Sequence, residues 1–276
     1  MTFGSLFAGI GGFDLGLERA GMECRWQVEI DDYAGSVLAK HWPGVTRWGD
    51  VRTFPVGDPA DWQVDLICAG VPCQPVSHAG KQKGASDERW MWGEALRVVA
   101  DLCPRFFVAE NPIGLLNHDG GRTFHGILRA FASVGYVCEW HVIAAADVGA
   151  PHRRQRVWIV ADANGRRRER KRVTKHGDKQ GSFGDIADRC GSWGRRARQA
   201  ASDSQYRGRQ GRHSERPWSD PAMSSGWWAT EPSVGRVAHG VPNRVDRLRC
   251  LGNAVVPQVA EVIGRAIIAM ESESHK

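Results

Sequence analysis

Cys73 stands between two prolines in Gly70-Val-Pro-Cys73-Gln-Pro75, just past the apolar run Val64-Asp-Leu-Ile-Cys68. That run reads as a buried parallel strand. Each proline fixes its own φ and pushes the residue before it towards extended geometry, so the cysteine sits on a stiff loop. Ligands of open α/β sheets bind beyond the C-terminal ends of the strands, where a thiol can serve as a nucleophile. Free cysteine is more often a small buried hydrophobe, and this stretch alone leaves the two alternatives evenly matched. Glu110, in Glu110-Asn111-Pro112, directly follows a strand predicted over 105–109. Partial desolvation there raises a carboxyl pKa and suits the group to hydrogen-bond or protonate a ring nitrogen. A capping or solvated acid is the plainer alternative. Arg154 and Arg156, in Pro151-His-Arg-Arg154-Gln-Arg156, project to one face of an extended segment. Their guanidinium forks suit phosphate and carbonyl oxygens, and a solvated basic loop is the alternative.

A second constellation is Ala8-Gly9-Ile10-Gly11-Gly12, between a predicted strand over 3–7 and a predicted helix over 13–20. Glycines in such a turn let the backbone approach a ligand at the helix N-terminus. Glu29 closes the next predicted strand, 23–29, at about the distance where an acid receives ribose hydroxyls in nucleotide-binding folds. The G-x-G-x-x-G spacing fails, because Asp14 stands where a third glycine belongs, and no Lys or Arg lies in the turn to meet phosphate. That favours a nucleoside-bearing ligand without pyrophosphate, and S-adenosylmethionine (AdoMet) fits this description. A glycine turn needed only for its own tightness is the alternative. Asp50, in Trp48-Gly49-Asp50-Val51, either meets an adenine edge or caps a turn.

These groups need a frame. Further helices are predicted over 33–41, 90–103 and 124–133, with Trp92, Leu96, Val99 and Cys103 at helical spacing. Further strands are predicted over 136–145 and 156–160. Strands alternating with helices of this length imply a doubly wound α/β sheet. After Ala161 the character changes. Residues 162–216 carry 16 Lys/Arg against 7 Asp/Glu, a net of +9, so the rest of the chain sums to −3 of the total +6. Large apolar side chains are few there, which implies a small loop-rich domain or a disordered insert, and a polyanionic partner. A tryptophan cluster (Trp218, Trp227, Trp228) follows, order returns at Arg244, and an apolar helix is predicted over 255–270.

At 276 residues the chain can bury a proper core. Nothing resembles a signal peptide, and no apolar run approaches membrane-spanning length. The seven cysteines are scattered without a C-x-x-C pair, so neither a disulfide framework nor a zinc site is expected. The expected setting is the reducing cytoplasm, without metal or membrane.

Phe7-Ala-Gly9-Ile-Gly11-Gly12, Gly70-Val-Pro-Cys73-Gln, Glu110-Asn111, Arg154-x-Arg156 and Leu251-Gly252-Asn253-Ala-Val-Val256 occur in this order. Together they resemble the DNA (cytosine-5)-methyltransferase family over residues 3–161 and 244–270. The resemblance implies a Rossmann-like AdoMet-dependent methyltransferase sheet with a small, basic, loop-rich second domain. It implies a catalytic AdoMet-binding domain at 1–161, a basic target-recognition region at 162–243, and a segment, 244–276, returning to the first domain. AdoMet would be bound by Phe7, Gly9, Ile10, Gly11, Gly12, Glu29, Ile30, Asp50 and Asn253, with Val51, Pro72 and Ala254 beside them. Cys73 would be the nucleophile, Glu110 would contact the target cytosine, and Arg154 and Arg156 would hold the base and its phosphate. Residues 77–89, with Gly80, Lys81, Lys83 and Gly84, match the family's loop that closes over flipped DNA. The implied partner is double-stranded DNA, bound by a monomer, with a cognate restriction endonuclease acting separately. The sequence departs from the family's pattern at Ile30, where an aromatic residue is frequent, at Pro112, usually Val, and at His152, usually Gln. A methyltransferase acting on RNA cytosine would share the core, and a non-catalytic DNA-binding module would have lost Cys73 or Glu110.

Overall fold

Runs of β-branched and aromatic residues bounded by turn residues form the strands β1 (Thr2–Leu6), β2 (Glu23–Val28), β3 (Thr46–Trp48), β4 (Leu66–Ala69), β5 (Phe106–Pro112), β6 (Val137–Ala144) and β7 (Gln155–Asp162). In the computed structural model, which describes residues 1–72, 91–163 and 243–273, they make one seven-stranded sheet in the order β3-β2-β1-β4-β5-β7-β6. The first five are parallel, and β7 lies antiparallel between β5 and β6. Every residue of β4 is buried, the pattern of a parallel strand covered on both faces.

The covering helices are α1 (Gly12–Arg19), α2 (Asp32–His41), α3 (Trp92–Leu102), α4 (Gly114–Asn117), α5 (Arg122–Ser133), α6 (Arg244–Asn253) and α7 (Pro257–Glu273). One core layer joins Trp26, Ile67 and Phe107 to Leu96 and Val99 of α3 and Ile127 and Phe131 of α5. The other joins Phe3, Leu66 and Phe106 to Phe13 and Leu17 of α1 and Val259 and Ile263 of α7. The sheet is thus doubly wound, as expected. The expected small second domain falls in 164–242, outside the described residues.

Boundaries shifted for local reasons. β1 stops at Leu6 because Phe7 turns to φ 53°. The helix expected over 90–103 ends at Leu102, where Cys103 takes φ 51°. β5 was expected to end at Ala109, which is where its pairing with β4 does end. It continues through Glu110 and Asn111 because β7 pairs with it as far as Pro112–Arg156. Glu110 therefore lies inside a strand and not just past one. Contrary to the sequence expectation, Val245–Ser272 is long and apolar enough to cross a membrane by length and composition alone. In the fold it is two helices broken at 254–256, and the apolar face of α7 packs on α1 and the sheet.

Candidate active site

The chain leaves β1 through three residues in the left-handed region, Phe7, Gly9 and Gly11. At Gly9 a Cβ would meet nothing within 4 Å, so the turn opens onto free space. At Gly11 it would strike the Trp42 ring at 2.4 Å, so the end of α2 packs under the turn. Glu29, just past β2, is aimed at this turn. One carboxyl oxygen accepts from the Gly9 N–H at 2.7 Å and the other from the Asp31 N–H at 2.8 Å. The backbone thus fixes the acid while each oxygen keeps a further lone pair. Ile10 is half-buried and Ile30 is 66% exposed beside Glu29. Glu29, Asp31, Arg47, Trp48 and Gly49 line an open cleft at the C-terminal ends of β2 and β3. The open cradle at Gly9, the oriented acid and the lack of any cation in residues 7–12 fit a nucleoside that carries no phosphate. Asp50 is placed otherwise than a free adenine contact. It caps the 3-10 turn Val51–Thr53 and pairs with Arg52 at 2.8 Å, and these bonds hold its carboxyl below the usual carboxylate range. Val51 is buried beside it.

Glu110 is only 7% exposed, and Arg156 of β7 donates to it at 3.0 Å. Burial pushes its pKa up, against the downward pull of Arg156 and then Arg154. Asn111 points the other way, fully buried. Its amide donates to the Val71 carbonyl at 3.1 Å and to the Glu110 carbonyl at 2.6 Å. Val71 and Pro72 lead into Cys73, so Asn111 ties the start of the cysteine loop to the strand bearing Glu110. Cys73 and the loop 77–89 lie outside the described residues. Five other cysteines are described, and burial pushes the thiols of four of them, Cys24, Cys68, Cys138 and Cys250, upward. The fifth, Cys103, donates to the Ala100 carbonyl at 3.0 Å.

Arg154 and Arg156 have different partners. The φ of 32° at Arg154 breaks the extended geometry the sequence suggested. Its guanidinium instead donates to the carbonyls of Gly252 at 2.9 Å and Ala254 at 2.7 Å. Burial first, and Arg156 second, pull its pKa down. Between those carbonyls Asn253 is exposed, and Val255 packs against Gly12 and Gly70.

Sequence reasoning missed Asn111 as an anchor, Trp42 as the floor of the turn, and Asp14. The Asp14 carboxyl is fully buried and accepts from Ser5 of β1 at 3.0 Å and from Gln27 of β2 at 2.8 Å. Its place on the same helical face as Phe13 and Leu17 was the available signal.

The sheet order, the glycine turn and the buried acid now stand together, and the comparisons agree with them. The profile of the C-5 cytosine-specific DNA methylase family matches residues 1–220. The chain belongs to the C-5 cytosine-specific DNA methylase family. It is 38% identical over 161 residues to type II methyltransferase M.BsuFI of Bacillus subtilis, a match covering 58% of this chain and 39% of that protein. It is 41% identical over 170 residues to type II methyltransferase M.NgoMIV of Neisseria gonorrhoeae, covering 59% and 53%. A crystal structure described as a DNA modification methyltransferase encoded within an Escherichia coli prophage superposes with a TM-score of 0.50 at 28% identity, covering 59% of this chain and 46% of that one. The chain thus matches about half, or less, of the length of these relatives.

Proposed function

We propose that this chain transfers a methyl group from AdoMet to C5 of cytosine within a specific duplex DNA sequence. The observation that carries the reading is Glu110, a buried carboxyl with an upward-shifted pKa, joined through Asn111 to the loop that leads into Cys73. Cytosine C5 is a poor nucleophile. Cys73 adds as thiolate to C6, the π pair of the C5–C6 bond shifts to C4–C5, and the C4–N3 π pair moves onto N3, leaving an enamine whose C5 is nucleophilic. Glu110 hydrogen-bonds N3 and the exocyclic amine and supplies the proton that the ring nitrogen takes up. Arg156 holds the Glu110 carboxyl in place from the neighbouring strand. AdoMet, when bound, supplies an electrophilic methyl group. The Gly9–Gly11 turn and Glu29 hold the nucleoside end of that cofactor. A base then removes the C5 proton, and Cys73 leaves. The target must leave the duplex stack, at a cost of a few kcal/mol. Residues 162–243 supply target recognition, as a region separate from the sheet domain.

The test is a covalent trap. Duplex DNA carrying 5-fluorocytosine at the target lacks the C5 proton, so elimination stalls after methyl transfer. With AdoMet present, an adduct stable to denaturing electrophoresis is expected for the wild type and none for Cys73→Ser. An adduct at full yield in Cys73→Ser removes the nucleophile assignment. Methyl incorporation into tRNA but not duplex DNA would move the substrate to RNA.

A further inference from the structure

Helix α6 is held to the sheet domain by little of its own packing. Val245, Leu248 and Leu251 are exposed, and among the described side chains of the helix only Cys250 is buried. Two cross-links compensate. Arg249 pairs with Asp31, the N-cap of α2, at 2.5 Å. Arg154 reaches the other end, where the last carbonyls of a helix have no intrahelical donor. Its forked guanidinium takes two of the carbonyls there, Gly252 and the C-cap Ala254. A cation at a helix C-terminus also meets the negative end of the helix dipole. One residue on, Val255 is wedged against the backbone of the glycine turn: a Cβ at Gly12 would lie 2.4 Å from the Val255 oxygen. The same residue lies against Gly70, where a Cβ would be 3.9 Å from Val255 Cγ2. Arg154 Nε is buried away from solvent without a partner, so the guanidinium sits against the chain through both its fork and its inner edge.

We infer that Arg154 is a positioning residue of the cofactor site: it caps α6, fixes the 252–255 turn against Gly12 and Gly70, and does not contact DNA. The inference rests on the proposed function only for the identity of the cofactor. It replaces the expectation that Arg154 and Arg156 grip the base and phosphate together. Arg156 is the arginine that pairs directly with Glu110.

The experiment uses the full chain as wild type, Arg154→Ala and Arg154→Lys. Three quantities are read: amide hydrogen exchange across 250–258 without ligand, AdoMet affinity by calorimetry, and the salt dependence of duplex DNA binding without AdoMet. In Arg154→Ala, exchange across the turn should quicken and AdoMet should bind about tenfold or more weakly, as expected when two charge-assisted hydrogen bonds are lost. Arg154→Lys, which reaches one carbonyl at a time, should fall between. The log–log salt slope should stay at the wild-type value, whereas a lost phosphate contact would lower it by about 0.9. Unchanged exchange across 250–258 in both variants, or a lowered salt slope with wild-type AdoMet affinity, overturns the inference. If Arg154→Ala does not fold, the Arg154→Lys values decide by the same criteria. A wild type that binds no AdoMet overturns the proposed function, and the exchange data still decide whether Arg154 holds the turn.

Discussion

Burial and the Arg156 guanidinium pull the Glu110 carboxyl in opposite directions, and burial is the larger effect. A group whose pKa rises on folding holds its proton to higher pH. Methyl transfer that uses the protonated acid should therefore decline as pH rises through that elevated pKa. Glu110→Gln keeps size and a donor but loses the acid. It should slow single-turnover methyl transfer by about a hundredfold, within the range of general acid–base contributions. It should also flatten that limb of the pH profile. A wild-type rate for Glu110→Gln would show that Cys73 activates the ring unaided. The sequence placed Glu29 and Glu110 near the C-terminal ends of strands, but not that pairing with β7 carries β5 on through Glu110. Asn111 was not legible, since its bond to Val71 joins residues 40 apart in the chain. The extended geometry expected at Arg154 does not form: alternation along a strand holds only where φ is extended, and Arg154 is left-handed.

Between helices, α1 fits closely on α7. A Cβ at Gly16 would lie 2.3 Å from the Pro257 carbonyl oxygen and 2.6 Å from Ala260 Cβ. Gly16→Ala gains up to about 1 kcal/mol of helix propensity, but the obstacle is backbone and cannot rotate away. Overpacking of this kind costs about 1–3 kcal/mol, so a net loss of stability is expected in urea unfolding. Asp14 ties α1 to β1 and β2, and burial raises its pKa above the ordinary 3.8. Its contribution to stability is therefore complete below that ordinary value and is lost as pH rises through the folded value. Asp14→Asn escapes this loss, and its amide can meet the unpartnered Gln27 Oε1 once the Gln27 amide turns over. The stability of the variant relative to wild type should grow from about pH 4 upward and then level off, as read from urea midpoints across pH. A difference independent of pH would mean that folding leaves the Asp14 pKa unchanged. Periodicity revealed most strands and long helices, but not α4, the 3-10 turns or the last residues of β5. Those depend on a neighbouring strand or on capping bonds that no local pattern carries.

For the molecule as a whole, charge is divided between a sheet domain and a basic stretch. Residues 162–216 hold a net +9 while the remainder sums to −3, so attraction to a polyanion resides in that stretch. Deleting residues 166–212 should flatten the log–log salt dependence of DNA binding by several units, at about 0.9 per phosphate contact, and abolish sequence preference. AdoMet binding should persist, because every cofactor residue proposed here lies outside the deletion. A deleted protein that keeps its salt slope and preferred site would move recognition to 77–89 or 218–243. The sheet domain also depends on distant parts of its own chain. Phe13 and Leu17 of α1 are covered by Val259 and Ile263, and the glycine turn is walled by Val255. Synthesis runs from N- to C-terminus, so every ribosome making this protein holds a sheet with one apolar flank bare until α7 emerges. Chains cut short before α7 would leave the Phe13 and Leu17 flank of α1 uncovered and be prone to aggregate.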